Sequence, residues 1–254
     1  MIPIEHIDSP SILSPEQTER PDTGPPSFTA QNRWKPSWLQ VGGVWLLPLA
    51  LWGLWAFSNP FQAEWVRQTV SFQSLSPAQR SNIQQAARAL DGVVLEPGEA
   101  FSFNRVVGPR TERRGYRVAP SYLEGETPQT PGGGICLLSS LLYQAALATG
   151  LTIQERVPHL QTIRTVPPGL DATVWYGQAD LKFQNPFNQS VQLRTQVSPA
   201  SLTVSLHGRS AQPMLPVRRE VTQQTGGAVQ VRVFQTLNGK ERLISSDLYR
   251  ITPR

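Results

Sequence analysis

The chain has 254 residues, 39% hydrophobic and 16% charged, with 23 prolines, 19 glycines and a formal net charge of +5. That length and balance suit one sizeable domain with appendages, and the proline and glycine content argues against an all-helical fold. A single cysteine, Cys136, excludes an internal disulfide framework and any cysteine-rich zinc or iron–sulfur site, and three histidines (His6, His159, His207) make a histidine-built metal centre improbable. No cofactor or metal is therefore expected.

Residues 1–37 are rich in Pro, Ser, Thr and Glu and lack apolar periodicity, which reads as a disordered tail. Its charge of about −2 leaves about +7 for the remainder. A basic outer domain would be drawn toward anionic phospholipid or wall polymers, and a merely solubilising excess of arginine explains the same number equally well. Residues 38–58 carry no charge and match the roughly 20 apolar residues needed to cross a bilayer. Trp34, Trp38, Trp55 and Trp65 fit an interfacial aromatic belt, and Pro48 is better tolerated in a membrane helix than in a buried soluble one. The long segment in front and the lack of a small-residue cleavage motif favour an uncleaved anchor over a signal peptide. Arg33 and Lys35 on its N-terminal side orient the N-terminus to the cytoplasm and the residues after about 60 outward. The expected protein is thus a single-pass membrane protein with an extracytoplasmic domain. No nucleic-acid-binding motif is visible.

Ser76, Pro77 and Gln79 supply an N-cap, a first-turn proline and a capping-box partner, and Ile83, Ala86, Ala87 and Leu90 follow at helical spacing before Gly92. Residues 93–95 and 100–103 bracket the Pro97-Gly98 turn as short strands. Residues 110–125 read as loop and strand around Tyr116 and Tyr122. An apolar, proline-free helix is expected over 135–148, stopped by Gly150. Period-two patterns then mark strands at 152–157, 172–176, 180–183, 191–195 and 202–206, with two more at 229–235 and 242–251. The expected architecture is α+β: a cysteine-bearing helix packed on a mainly antiparallel β-sheet, preceded by one transmembrane helix. The main domain is placed at 70–208. Residues 209–254 form a β extension that either continues the same sheet or stands as a small separate one.

Cys136 follows Gly132, Gly133 and Gly134 at the start of the apolar helix. Glycines permit positive-φ backbone, and the positive end of a helix favours an anion, so a thiol there is inclined to ionise. Nucleophilic chemistry needs a base and a group that orients it. His159, about 23 residues downstream across a helix and a strand, is the only good candidate base, its plain alternative being a surface histidine in a proline-containing turn. Asp171 is the first choice as orienter, ahead of Asp180 and Asn185, each of which could equally cap a turn or strand. The Cys136 N–H and the glycine turn could form an oxyanion hole. Ser139 and Ser140, one turn along the helix, either bind substrate or pack, with packing the stronger reading.

Several motifs then occur in order: Glu96-Pro97-Gly98-Glu99-Ala100-Phe101-Ser102-Phe103-Asn104, Val107-Gly108, Gly115-Tyr116, Gly132-Gly133-Gly134-Ile135-Cys136 with Ser139-Ser140, Glu155-Arg156 with His159, and Gly169-Leu170-Asp171 followed by Asp180-Leu181-Lys182-Phe183. Over about 93–197 the chain resembles the VanW-like family, named from a glycopeptide-resistance cluster, some of whose wall-linked members act as L,D-transpeptidases with the motif cysteine as nucleophile. The resemblance implies that Cys136 attacks a peptide carbonyl in a peptidoglycan stem and passes the acyl group to an amine. Cys136, His159 and Asp171 would be catalytic, and Gly132, Gly133, Gly134, Ser139, Arg156 and Asp180 would serve binding. The implied partners are stem peptides and the membrane. Where family members commonly carry Gln after the cysteine and Ser after the histidine, this chain has Leu137 and Leu160. Those departures favour the alternative of a non-catalytic module binding wall peptides or glycopeptides. A cysteine amidase or peptidase, with water as acceptor, is the closer variant.

Overall fold

The structure, a computed structural model, describes residues 60–121, 128–224 and 226–251. The expected tail and apolar segment lie outside the described residues, among which no helix is long and apolar enough to cross a membrane.

Helix α1 (Pro77–Leu90) begins as its sequence dictates. Ser76 accepts from the Gln79 N–H, the Gln79 side chain accepts from the Ser76 N–H, and Pro77 occupies the first turn. Ile83, Ala86, Ala87 and Leu90 form its buried stripe. The central helix α3 (Cys136–Thr149) is buried almost all round, and Gly150 ends it in the left-handed region at φ +85°. Between them lies a short helix α2 (Phe103–Val107).

The main sheet has the order β1-β9-β8-β2, with β1 (Ala63–Ser71), β2 (Val94–Leu95), β8 (Val191–Val197) and β9 (Ser201–Gly208) all antiparallel. Helix α3 packs on β1 and β9, and α1 on β8. Buried on both faces, β9 shows a continuous buried run from Leu202 to Gly208 rather than alternation. A second antiparallel sheet joins β3 (Ala100–Ser102), β7 (Lys182–Gln184) and β6 (Thr152–Glu155), with Phe101 stacked on Phe183 at 4.5 Å. Strands β4 (Val118–Pro120) and β5 (Gln129–Pro131) form a small ribbon before α3. The result is a mixed fold with mainly antiparallel sheets and few helices.

Four local outcomes differ from the sequence reading. Strand β1 starts ahead of residue 70. Its Trp65, expected at a membrane interface, is core: the indole N–H donates to the Ser210 carbonyl at 2.7 Å and the ring meets Phe187 edge-on. Phe103 opens α2 instead of ending a strand, because Ser102 caps that helix while Asp180 takes the Asn104 N–H at 2.9 Å. Residues 172–176 make only isolated bridges, at Thr173 and Trp175, because the turn at Gly177 folds Trp175 back onto Ala179.

The C-terminal residues form their own sheet, β10 (Val217–Gln224), β11 (Ala228–Leu237) and β12 (Lys240–Arg250). It is tied to the rest of the domain. Gln235 donates to the Leu147 carbonyl at 2.7 Å, and Leu160 and Thr162 exchange backbone hydrogen bonds with Arg250. Gly169 lies so close to Val231 and Val233 that an added Cβ would sit within 2.8 Å of both.

Candidate active site

The glycine turn places Cys136. Gly132 and Gly134 have φ of +87° and +95°, which L side chains rarely adopt, while Gly133 is required for another reason: a Cβ there would lie 2.2 Å from the Ala119 carbonyl oxygen. The turn therefore presses against β4. Fully buried Asn82 of α1 clamps it, donating to the carbonyls of Arg117 at 2.9 Å and Gly133 at 3.0 Å while accepting from the Arg117 N–H at 2.7 Å. Hydrogen bonds in the turn are made by the N–H groups of Gly132, Gly133, Ile135 and Leu137. Among the described residues no protein acceptor takes the N–H of Cys136, the first residue of the helix.

Helix α3 also fixes the segment that carries Asp171. The Ser139 hydroxyl donates to the Ala172 carbonyl at 2.6 Å, and Ser140 accepts from the Ala172 N–H at 3.0 Å while donating to the Cys136 carbonyl at 2.6 Å. Both serines are fully buried, so they act as a clamp between helix and loop and do not face solvent.

Asp171 faces His159. Its Oδ2 accepts from the His159 backbone N–H and from Nδ1, both at 2.7 Å. The other oxygen accepts from Arg156 Nη2 at 2.9 Å, Tyr249 Oη at 2.7 Å and the Gly169 N–H at 3.2 Å. Arg156 also donates to the Asp171 carbonyl at 2.7 Å and pairs with Asp247, and its guanidinium stacks 5.2 Å from the Tyr143 ring centroid. All four side chains, Arg156, His159, Asp171 and Tyr249, are buried. A carboxylate bonded this fully keeps its charge, and a buried pair of this kind fixes the imidazole's orientation and tautomer.

The His159 ring lies near enough to the Cys136 thiol for the two groups to shift each other's ionisation, and Sγ lies 3.8 Å from the Val174 carbonyl oxygen. Burial alone would push the Asp171 carboxyl up, but the hydrogen bond to His159 and the Arg156 charge hold it down at about 2. Burial would push His159 down; its hydrogen bond to Asp171, with the nearby Cys136 thiol, instead raises it to about 9. For Cys136 burial acts upward, and the neighbouring His159 imidazole, the Val174 backbone and the Arg110 charge outweigh it, leaving the thiol below its ordinary value. The three groups form a Cys–His–Asp constellation in which the thiol is inclined to ionise and the imidazole to hold its proton.

Cys136, half-buried, opens onto a cleft of about 540 Å³ whose lining includes Leu137, Arg110, Arg164, Trp175 and Tyr176. Asp180 and Asn185 stand elsewhere. Asp180 accepts from the Ser102 hydroxyl at 2.6 Å and the N–H groups of Asn104 and Leu181, and Asn185 bridges the carbonyls of Leu95 and Gln189. Leu137 is buried on the cleft wall, whereas Leu160 is exposed.

The model of the family described as VanW like protein matches residues 78–207, half of the chain. The chain belongs to the VanW-like family. The matched span of this VanW-like chain includes Cys136, His159 and Asp171 but ends before β10–β12. It is 42% identical over 136 residues to the uncharacterized protein YoaR of Bacillus subtilis (strain 168), covering 54% of this chain and 45% of that protein. It is 34% identical over 119 residues to the vancomycin B-type resistance protein VanW of Enterococcus faecalis (strain ATCC 700802 / V583), covering 44% and 42% respectively. The match spans less than half the length of either curated relative. No solved structure matches.

Sequence reasoning missed Arg110, Asp247 and Tyr249. The last two lie two positions apart on β12, so their side chains share a face, but that spacing does not say what the face meets. Nothing local marks Arg110.

Proposed function

We propose that the protein is a membrane-anchored cell-envelope enzyme that transfers acyl groups on peptidoglycan stem peptides through Cys136, an L,D-transpeptidase-type reaction. The observation that carries this reading is the 2.7 Å contact of Asp171 with a His159 ring whose charge acts on Cys136, a residue lining the cleft. Family membership, and the printed description of the Enterococcus faecalis relative as a vancomycin resistance protein, point to the wall as the setting.

In the first half-reaction the Cys136 thiolate attacks the scissile carbonyl carbon, and the new oxyanion is met by the unengaged Cys136 N–H at the helix start. The C–N bond breaks, and the departing amine takes a proton from the His159 imidazolium, leaving a thioester. An acceptor amine from a second stem then attacks the thioester, His159 takes its proton, and the thiolate is released. Asp171 keeps the Nδ1 side of the ring occupied, so its other nitrogen serves Cys136. Residues 38–58 would hold the domain at the outer face of the membrane.

The test is incubation of the detergent-solubilised full chain with purified muropeptides, read by intact mass and by chromatography of products. An acyl adduct lost in Cys136→Ala, together with new stem dimers, is the expected result. Shortened monomers without dimers would assign a hydrolase instead. Binding with no adduct would favour the non-catalytic module, the reading to which Leu137 on the cleft wall lends support.

A further inference from the structure

Arg110 reaches the same cleft from outside every motif used above. Its stem is seated on the glycine turn itself: a Cβ on Gly132 would sit 2.7 Å from Arg110 Cβ and 2.9 Å from Cγ, so the bare Gly132 backbone makes room for it beside Cys136. One side of the guanidinium is fixed. Nη1 donates to Asn104 Oδ1 at 2.6 Å and to the Gly108 carbonyl at 3.1 Å. Asn104 is in turn held by donating to the carbonyls of Ala179 at 2.8 Å and Trp175 at 3.3 Å. The Tyr176 ring lies 5.8 Å from Cζ.

The remaining donors, Nε and Nη2, meet no protein acceptor among the described residues, and no carboxylate pairs with the group there. Asp180, the carboxylate whose charge acts on it among the described residues, is spent on Ser102 and the Asn104 and Leu181 N–H groups. Among the described lining residues the charged side chains are Arg110 and Arg164, both cations. A half-desolvated guanidinium with one edge anchored and donors to spare is built for a planar anion, which it can grip with two parallel hydrogen bonds. It is also near enough to Cys136 for the two charges to act on each other. In a peptide cut at its last bond, the terminal carboxylate stands only three bonds from the carbonyl carbon under attack.

We infer that Arg110 is a specificity-determining residue that binds the terminal carboxylate of the acyl donor, on the residue that leaves. This rests on the acyl-transfer reading above. It restricts the donor to peptides with a free carboxyl end one residue past the scissile bond.

The full-length Cys136→Ala protein separates binding from chemistry. Three synthetic stem peptides would be titrated into it: one with a free C-terminal carboxylate, its C-terminal amide, and one amidated only at an internal side-chain carboxylate. The expected result is binding about tenfold to a hundredfold tighter for the two free acids than for the terminal amide. Arg110→Gln should bring that ratio close to one, while Arg110→Lys should keep part of it. Equal binding of acid and amide, no detectable binding of the acid, or weakening only by the internal amidation would each overturn the inference. Wild-type protein that acylates on acid and amide alike would likewise defeat it while leaving acyl transfer standing. Preference for the acid without any adduct on wild-type Cys136 would instead remove the acyl-transfer reading and retain Arg110 as a terminal-carboxylate anchor.

Discussion

The Tyr249 hydroxyl donates a 2.7 Å hydrogen bond to Asp171, 78 residues earlier in the chain, and accepts from the Gly169 N–H at 2.8 Å and Arg156 at 2.9 Å. Two strand positions away, Asp247 pairs with the same arginine. The carboxylate that orients His159 is thus held partly by β12, which lies beyond the span of the family match. The C-terminal sheet is structurally continuous with the candidate site.

Tyr249→Phe should therefore destabilise the protein by about 1–3 kcal/mol, since a buried Gly169 N–H, Arg156 and Asp171 all lose a partner. Chemical denaturation measures the loss. Cys136 labelling by a mild electrophile should slow at pH 7 in the folded variant. A rate equal to wild type would show that the tyrosine does not position the imidazole.

Wild-type Cys136 should alkylate at pH values below the ordinary thiol value of about 8.5. In His159→Ala the opposing contribution of burial is left with less to offset it, so the titration should move up to or above that value. Asp171→Asn should move it in the same direction, because His159 loses the carboxylate that raises its own value to about 9. A pH–rate profile for iodoacetamide labelling reads all three proteins.

The acid limb of stability should depend on Asp171. Its carboxyl is held at about 2 in the folded protein against an ordinary value near 3.8, so its contribution is present above pH 4 and is lost as the pH falls through about 2. This contribution is roughly 1–3 kcal/mol. Urea denaturation should show a smaller loss between pH 4 and 2 in Asp171→Asn than in wild type. The alkaline side behaves differently. Raised to about 9, His159 stabilises fully below its ordinary value of 6.5, and that contribution is lost as the pH rises through 9. The depressed Cys136 runs in the opposite sense, its contribution growing as the pH rises toward its ordinary value, so it opposes the His159 loss and makes the alkaline limb shallower than His159 alone would.

Gly133→Ala should cost more than its single methyl suggests. The added Cβ would sit 2.2 Å from a backbone carbonyl of β4, which cannot swing aside as a side chain would. A loss of about 1–3 kcal/mol is expected from such overpacking, seen as a lower thermal midpoint. Because the turn carries Cys136, thiol labelling at pH 7 should change with it.

Local chemistry made much of the domain legible in the sequence. Ser76, Pro77 and Gln79 determine where α1 begins, the apolar run and Gly150 determine α3, and alternation marks most of the later strands, because capping and burial periodicity act over a few residues. The candidate trio of Cys136, His159 and Asp171 was also readable, from residue types and spacing together with the family motifs. What the tertiary structure decided is how those groups meet and what supports them. Residues 172–176 look like a strand, yet Ser139, Ser140 and the Gly177 turn hold them as a loop that brings Asp171 to His159. Trp65 looks like an interface anchor, yet pairing of β1 with β9 buries it. The roles of Arg110, Asp247 and Tyr249 depend on contacts between segments far apart in the chain, and such contacts leave no local periodicity to read.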